Sequence, residues 1–257
     1  MARSETVSSS WWRAAKGAST VAAVLAVIGI LVLASAGMGY RLGWWGLRPA
    51  FNVLRFSVYG AIVVAAIGLV ALVASFAVRH WVAVVGATLA ILLAAGTAAV
   101  PLAMQRAAQS VPHIHDITTD TETPPAFVAL RGVRERSPNG ADYGGPAVAA
   151  EQRRGYPDLA PLSLRVPPDR AFAMVEATAK ALGWQVSAVV PAEGRLEATD
   201  TTKWFGFKDD IVVRVAPTLD GSRVDIRSVS RLGQSDLGAN ARRIHAFLAA
   251  LSARAGA

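Results

Sequence analysis

The sequence predicts an α+β protein: three transmembrane helices, then a domain ordered as helix, four antiparallel strands, helix. Two observations carry that prediction. Ala18–Tyr40, Phe56–Val78 and Trp81–Gln105 each run past 20 residues without a charged side chain. At a rise of about 1.5 Å per residue, each can cross a hydrocarbon core of about 30 Å. Beyond residue 168 the apolar residues instead recur with periods of 3.6 and 2, as in amphipathic helices and half-buried strands. The expected divisions are a membrane anchor over 1–106, a proline-rich extended segment docked on the domain over 107–168, and the α-β-β-β-β-α domain over 169–257.

The anchor also accounts for the charge. The chain carries a formal +8, but residues 1–106 hold eight basic residues against the single acid Glu5, a net of +7. The remainder holds 18 basic residues against 17 acids, a net of +1. The excess therefore lies beside membrane spans, where basic residues set orientation and meet headgroups. A nearly neutral soluble part without a basic stripe excludes nucleic acid as the expected partner. With no cysteine, disulfides, thiolate metal sites and cysteine nucleophiles are excluded as well. Arg outnumbers Lys 22 to 4, the composition of a GC-rich bacterial genome.

Within the anchor, Arg13 and Lys16 precede the first span and Ala34-Ser35-Ala36 lies near its end, an arrangement that also describes a signal peptide. The uncharged run is longer than the 7–15 residues of a typical signal core, so it reads as a retained span. Arg79-His80 joins spans two and three in a tight hairpin. Basic residues divide four against four between the two sides. Retention of the basic N-terminal tail then sets the N-terminus inside and the C-terminal domain outside, in the periplasm. No charge lies in a span, which argues against a pump or proton relay. Trp44, Trp45, Trp81, Tyr40 and Tyr59 are placed as interfacial anchors, and Gly60, Gly68, Gly86 and Gly96 as sites of close helix contact.

Nine of the 13 prolines fall between Pro112 and Pro168, so this stretch is expected to be extended or turned and not regular helix, with Ser137–Gly145 as its most loop-like part. His113, His115 and Asp116 form the one cluster with metal-ligand chemistry. On an extended segment both histidines share a face, yet a third protein ligand is not evident, and polar residues capping a turn explain them equally well. No metal or cofactor is therefore expected, and a metal-dependent hydrolase stands as the remote alternative.

In the C-terminal domain, Phe172, Val175, Ala179 and Leu182 define a helix over Asp169–Leu182, between Pro168 and Gly183. Alternation marks strands at Trp184–Val190, at Arg195–Lys203, around Ile211, Val213 and Val215, and at Arg223–Arg231, with Asp220-Gly221 as a hairpin turn. Ser235 or Asp236 caps a last helix whose stripe is Leu237, Ala241, Ile244, Leu248 and Leu251. With both helices on one face of the sheet, the other face is expected to be wet. It carries Arg195, Glu197, Thr199, Thr201, Arg214, Arg223, Asp225, Arg227 and Arg231, either as an anion-binding face or as cross-strand ion pairs.

The turn Thr199–Asp210 is the most unusual local sequence: Trp204, Phe205 and Phe207 stand beside Lys203, Lys208, Asp209 and Asp210. These aromatics either make a contact site, reaching a partner or the headgroup region, or close the end of a small core. Asp209 and Asp210 point to opposite faces of a strand, which argues against an acid/base couple, and no nucleophile elbow or phosphate loop is present.

Several of these segments together resemble a bacterial family known only as domain of unknown function 1499. They are Ile114–Asp120 (IHDITTD), Pro124–Phe127 (PPAF), Tyr156-Pro157-Asp158, Arg195–Asp210 and Val224–Ala241. The resemblance covers roughly 107–250 and implies the domain limits and membrane helices ahead of the domain, but no activity or catalytic residue. In layout alone the domain is similar to the helix-grip repeats of the barrel-assembly lipoprotein, which bind proteins and do no chemistry; fold by itself does not assign function.

The expected function is a non-enzymatic, membrane-anchored interaction domain of the bacterial inner membrane, meeting an envelope protein or lipid. Its candidate contact residues are Trp204, Phe205, Phe207, Lys208, Asp209, Asp210, Arg214, Arg227, His113, His115 and Asp116. The alternative is a lipid- or small-ligand-binding domain with a cavity lined by Phe172, Trp184 and Ile244.

Overall fold

A computed structural model describes the backbone of residues 2–256 and the side chains of 10–256. The chain divides into two compact units, Met1–Arg106 and Ala107–Ala257.

The first unit is built from helices α1 (Ala2–Arg41), α2 (Leu47–Ala77) and α3 (Trp81–Ser110), whose helical ranges extend beyond the uncharged runs. All three are long and apolar enough to cross a membrane. Their contact surface is made of small residues: Ala22, Ala26, Ala61, Val64, Ala90 and Ala94 are buried together. Val24, Leu31, Ile62, Val70, Leu89 and Leu92 point outward. That inversion is the pattern of helices packed in lipid, where dispersion and close approach, not water, drive association. Of the four glycines expected at contacts, two are there. A β-carbon at Gly68 would meet Ile91, and one at Gly86 would meet the Ser19 hydroxyl. Gly60 and Gly96 have open space beside them. Ser19 Oγ donates to the Ala83 carbonyl at 2.8 Å, tying α1 to α3.

In the second unit, the expected order of helix, four strands and helix is present, preceded by two short strands and two helices. The elements are β1 (Asp116–Thr118), α4 (Arg131–Glu135), α5 (Gly145–Gly155), β2 (Leu162–Leu164), α6 (Pro168–Ala181), β3 (Gln185–Val190), β4 (Arg195–Thr201), β5 (Lys208–Thr218), β6 (Gly221–Ser230) and α7 (Ala239–Ala255). The antiparallel sheet runs β1-β6-β5-β4-β3, and β2 also pairs with β6. β1 pairs with Arg227–Val229 and β2 with Ser222–Val224, so two three-residue strands from the proline-rich segment close the β6 edge in succession.

Core packing explains the helix faces. Leu196, Ala198, Ile211, Val213, Val215, Val224 and Ile226 meet Phe172, Val175 and Ala179 of α6 and Ala241, Ile244, Phe247 and Leu251 of α7. Leu182, counted in the α6 stripe, instead follows the helix end and is exposed, whereas Phe247 is fully buried. The start of α7 is closed by Asp236, which accepts from Gly238 N at 2.8 Å and Asn240 N at 2.6 Å. The helix begins three residues beyond that cap because Leu237 and Gly238 take left-handed backbone conformations. The β5–β6 turn is Leu219-Asp220, one residue earlier than expected. Gly221 is the first strand residue, at φ +150°, and a β-carbon there would collide with the Leu164 carbonyl of β2. Only glycine lets β2 pass this close.

Regular helix does occur in the proline-rich segment. α5 carries Pro146 in its first turn, where the missing N–H costs nothing. Its buried Gln152 imitates a neighbouring strand: Oε1 accepts from Thr118 N at 2.9 Å and Nε2 donates to Thr118 O at 2.6 Å.

Candidate functional site

The sheet face away from α6 and α7 is the chemically richest part of the domain, and its middle is covered. Residues 119–161 fold over it, so Glu197, Asp225 and Arg227 are 0–2% exposed. Phe127 and Leu130 from this cover pack on Val212 and Val229 of the sheet, making a small second core. The facing assignments drawn from alternation are correct, but the face is solvated only at its rim, around Thr201, Arg214 and Arg223. The proline-rich segment is docked on the domain as expected, but on the face that alternation leaves to solvent, held there by apolar and polar anchors.

Beneath the cover, arginines and carboxylates form three groups. In the first, Arg227 grips Asp116 in a fork, Nε to Oδ1 at 2.9 Å and Nη2 to Oδ2 at 2.7 Å. Its remaining donors reach the Pro125 and Ala141 carbonyls, and its guanidinium lies over the rings of Phe127 and Tyr143. In the second, Asp210 accepts from Arg134 at 3.0 Å, from Arg231 at 2.9 and 2.8 Å, and from the Thr199 hydroxyl at 2.8 Å. Arg134 also reaches the Val229 carbonyl and stacks on Phe127. In the third, Arg214 and Arg223 both bridge Asp225 and Asp120 at 2.9–3.0 Å.

Glu197 does a different job. Its carboxylate accepts the backbone N–H groups of Val128, Ala129 and Leu130 at 2.8–2.9 Å and pairs with Arg195. A fully buried carboxylate is tolerable because charge-assisted donors saturate it.

Protonation follows from these contacts. Burial works to raise the Asp120 carboxyl, but the Thr123 amide and hydroxyl, the Glu122 amide and the Arg223 charge outweigh it and hold the group at about 2. Burial draws Arg134 below the ordinary guanidinium value while Asp210 opposes the loss of its charge. Burial, then the Asp116 charge, pushes the Tyr143 phenol up to about 12. Each carboxylate on this face is thus engaged as an acceptor, and the buried phenol stays protonated.

The other candidates lie elsewhere. Asp209 is on the helix face of β5, opposite to Asp210, and receives Arg243 at 2.6 Å; Arg243 also holds Asp200 at 2.9 Å. His113 is exposed. His115 contributes its backbone carbonyl, to Asn240 Nδ2 at 2.9 Å and Ser230 N at 3.0 Å, while Asp116 is committed to Arg227. The three do not converge as ligands, and among the described residues no group of three or more His, Asp or Glu is placed to hold a metal. Phe172, Trp184 and Ile244 are packed in the core, Trp184 stacked on Phe247 at 5.2 Å; Trp184 also lines an open cleft of about 320 Å³ with Leu182, Asp200, Ala239, Arg242, Arg243 and Ala246, to which Phe172 and Ile244 do not contribute.

The aromatic turn between β4 and β5 is a compact structure. Thr202 closes it: its N–H donates to Phe207 O at 2.8 Å, its carbonyl accepts from Gly206 N at 2.9 Å and its hydroxyl from Phe207 N at 2.9 Å. Gly206 sits at φ +72°, which a glycine adopts freely. Phe205 is the buried hub, stacked on Phe207 and edge-on to Trp204, with both ring pairs 5.0 Å apart. Trp204 and Phe207 are half-buried, and Lys203 and Lys208 are exposed. Phe205 is thus buried within the turn, while Trp204 and Phe207 keep part of their rings at its surface.

Sequence reading did not single out Arg134, Gln152, Asn139, Asn240 or Arg243. The near-parity of 18 bases and 17 acids in the soluble part was the signal that arginines would be spent internally. Which acid each arginine takes depends on how the cover folds back.

Fold and site define a class: an antiparallel α+β domain with helices on one sheet face and an arginine–carboxylate layer, largely covered by residues 119–161, on the other. Residues 116–251 match the family described as Protein of unknown function (DUF1499), and the chain belongs to that family. No curated protein matches the sequence.

Proposed function

We propose that this chain is a membrane-anchored, non-enzymatic interaction domain of the bacterial cell envelope, multi-pass in the inner membrane, with the α+β domain in the periplasm. One observation carries the reading: the acids and arginines of the sheet face are consumed in holding the cover, leaving none of the five carboxylates available as a base or nucleophile. The element that still offers a preorganised contact surface is the turn between β4 and β5, where the aromatic rings of Trp204 and Phe207 bind at low entropic cost. Two experiments test the proposal. Alkaline phosphatase fused after Ala257 is expected to be active and a green fluorescent protein fusion dark; the reverse pattern removes the periplasmic placement. In a deletion strain, Trp204→Ala with Phe207→Ala is expected to lose complementation while the protein accumulates normally. Full complementation removes the turn as the contact element.

A further inference from the structure

The antiparallel register sorts the loops of the domain onto two ends. The chain enters β1 at Asp116, which pairs with Val229 near the end of β6. Ser230 pairs with Asp209, Thr201 with Lys208, and Thr199 with Gln185. The entry point, the aromatic turn and the start of β3 therefore share one end of the sheet. The β5–β6 turn, with Leu219 fully exposed, is at the other. Between the end of α3 at Ser110 and the start of β1 at Asp116 lie only residues 111–115. Five residues reach at most roughly 18 Å even when extended.

The exposed charged side chains of this end are basic, while Asp200, its side chain 36% exposed, is paired with Arg243. Lys203, Lys208 and Arg242 are exposed. Its acids are internally held: Asp200 and Asp209 by Arg243, and Asp236 by the amides of Gly238 and Asn240. Half-buried aromatic rings framed by lysines, on a short tether from an apolar helix, form the pattern that settles at a lipid headgroup boundary.

We infer that this end of the domain docks on the bilayer that holds its own helices, with Trp204 and Phe207 in the headgroup region and Lys203, Lys208 and Arg242 facing anionic lipid phosphates. The inference rests on the reading of the turn as the contact element and names its partner as lipid.

The chain has no cysteine, so single labels can be placed cleanly. The full-length protein carrying Lys203→Cys, which leaves the aromatics intact, is spin-labelled in nanodiscs of phosphatidylethanolamine and phosphatidylglycerol. Leu219→Cys serves as the control from the opposite end. The label at 203 is expected to show a higher ratio of oxygen to water-soluble nickel chelate collisions than the label at 219. Adding Trp204→Ala is expected to move the label at 203 toward nickel while 219 stays unchanged. A label at 203 as open to nickel as that at 219 overturns the lipid docking and leaves the contact role of the turn to the complementation test of Trp204→Ala with Phe207→Ala. A label reached by neither reagent means that protein covers the turn; this overturns lipid docking and leaves the interaction reading standing.

Discussion

Asp210 shows how much a single side chain carries in this fold. It and Arg134 are both fully enclosed, and it also receives Arg231 and Thr199. Removing one partner of a buried pair strands the other charge, at a cost of about 3–5 kcal/mol. Asp210→Ala is therefore expected to lower the midpoint of thermal unfolding of the detergent-solubilised chain far more than removal of the exposed Arg131–Glu135 pair, which is worth about 0–1 kcal/mol. Equal effects would deny the network its structural role. Asp120 gives a pH signature. Its folded value of about 2 lies below the ordinary 3.8, so its stabilisation is full above 3.8 and is lost as pH falls toward 2. Asp120→Asn is expected to flatten the stability profile across that window, and an unchanged slope would assign the acid sensitivity to other groups.

At the scale of elements, the cover is held by a few polar clamps on the sheet. Glu197 takes three successive amides, Gln152 completes β1, and Asn139 donates to the Ser230 and Gly233 carbonyls. Glu197→Ala leaves three amide donors without their acceptor, each costing about 1–3 kcal/mol if it stays buried. The expected outcome is local: hydrogen exchange at 127–135 rises strongly while α6 and α7 keep their protection. Uniform loosening would mean the cover is not a separable layer. Gly221→Ala tests the β6 edge, since a side chain there must push β2 away. It is expected to raise exchange at 162–166 selectively.

Across the whole domain, protection should follow sheet position. β5 and β6 are sandwiched between helices and cover, whereas β3 is an open edge, uncharged and irregular between Val186 and Ala188. Exchange is expected to be slowest in 211–215 and 224–229 and fastest in 185–190, because an edge strand exchanges without sheet opening. Equal protection would mean that something covers that edge.

Local rules carried much of this fold. Runs of uncharged residues revealed the three long helices, because hydrocarbon tolerates nothing else over such a length. Alternation in β4, β5 and β6 put the residues it named, such as Leu196, Ile211, Glu197 and Arg227, on the correct sheet face, since side-chain period in a strand is fixed by backbone geometry. Burial of the arginine face was not legible, because alternation tells which way Arg227 points and not what lies above it. That depends on contacts a hundred residues apart in sequence, such as Arg227 with Asp116 and Arg214 with Asp120. The three-residue strands β1 and β2 were hidden for the same reason: too short and proline-flanked to show a period, they are strands only because β6 offers an edge. The aromatic turn stood out as unusual, but pairing register decided its place at the end where the chain enters. Short-range physics names the elements and their faces; only the folded chain decides which faces meet.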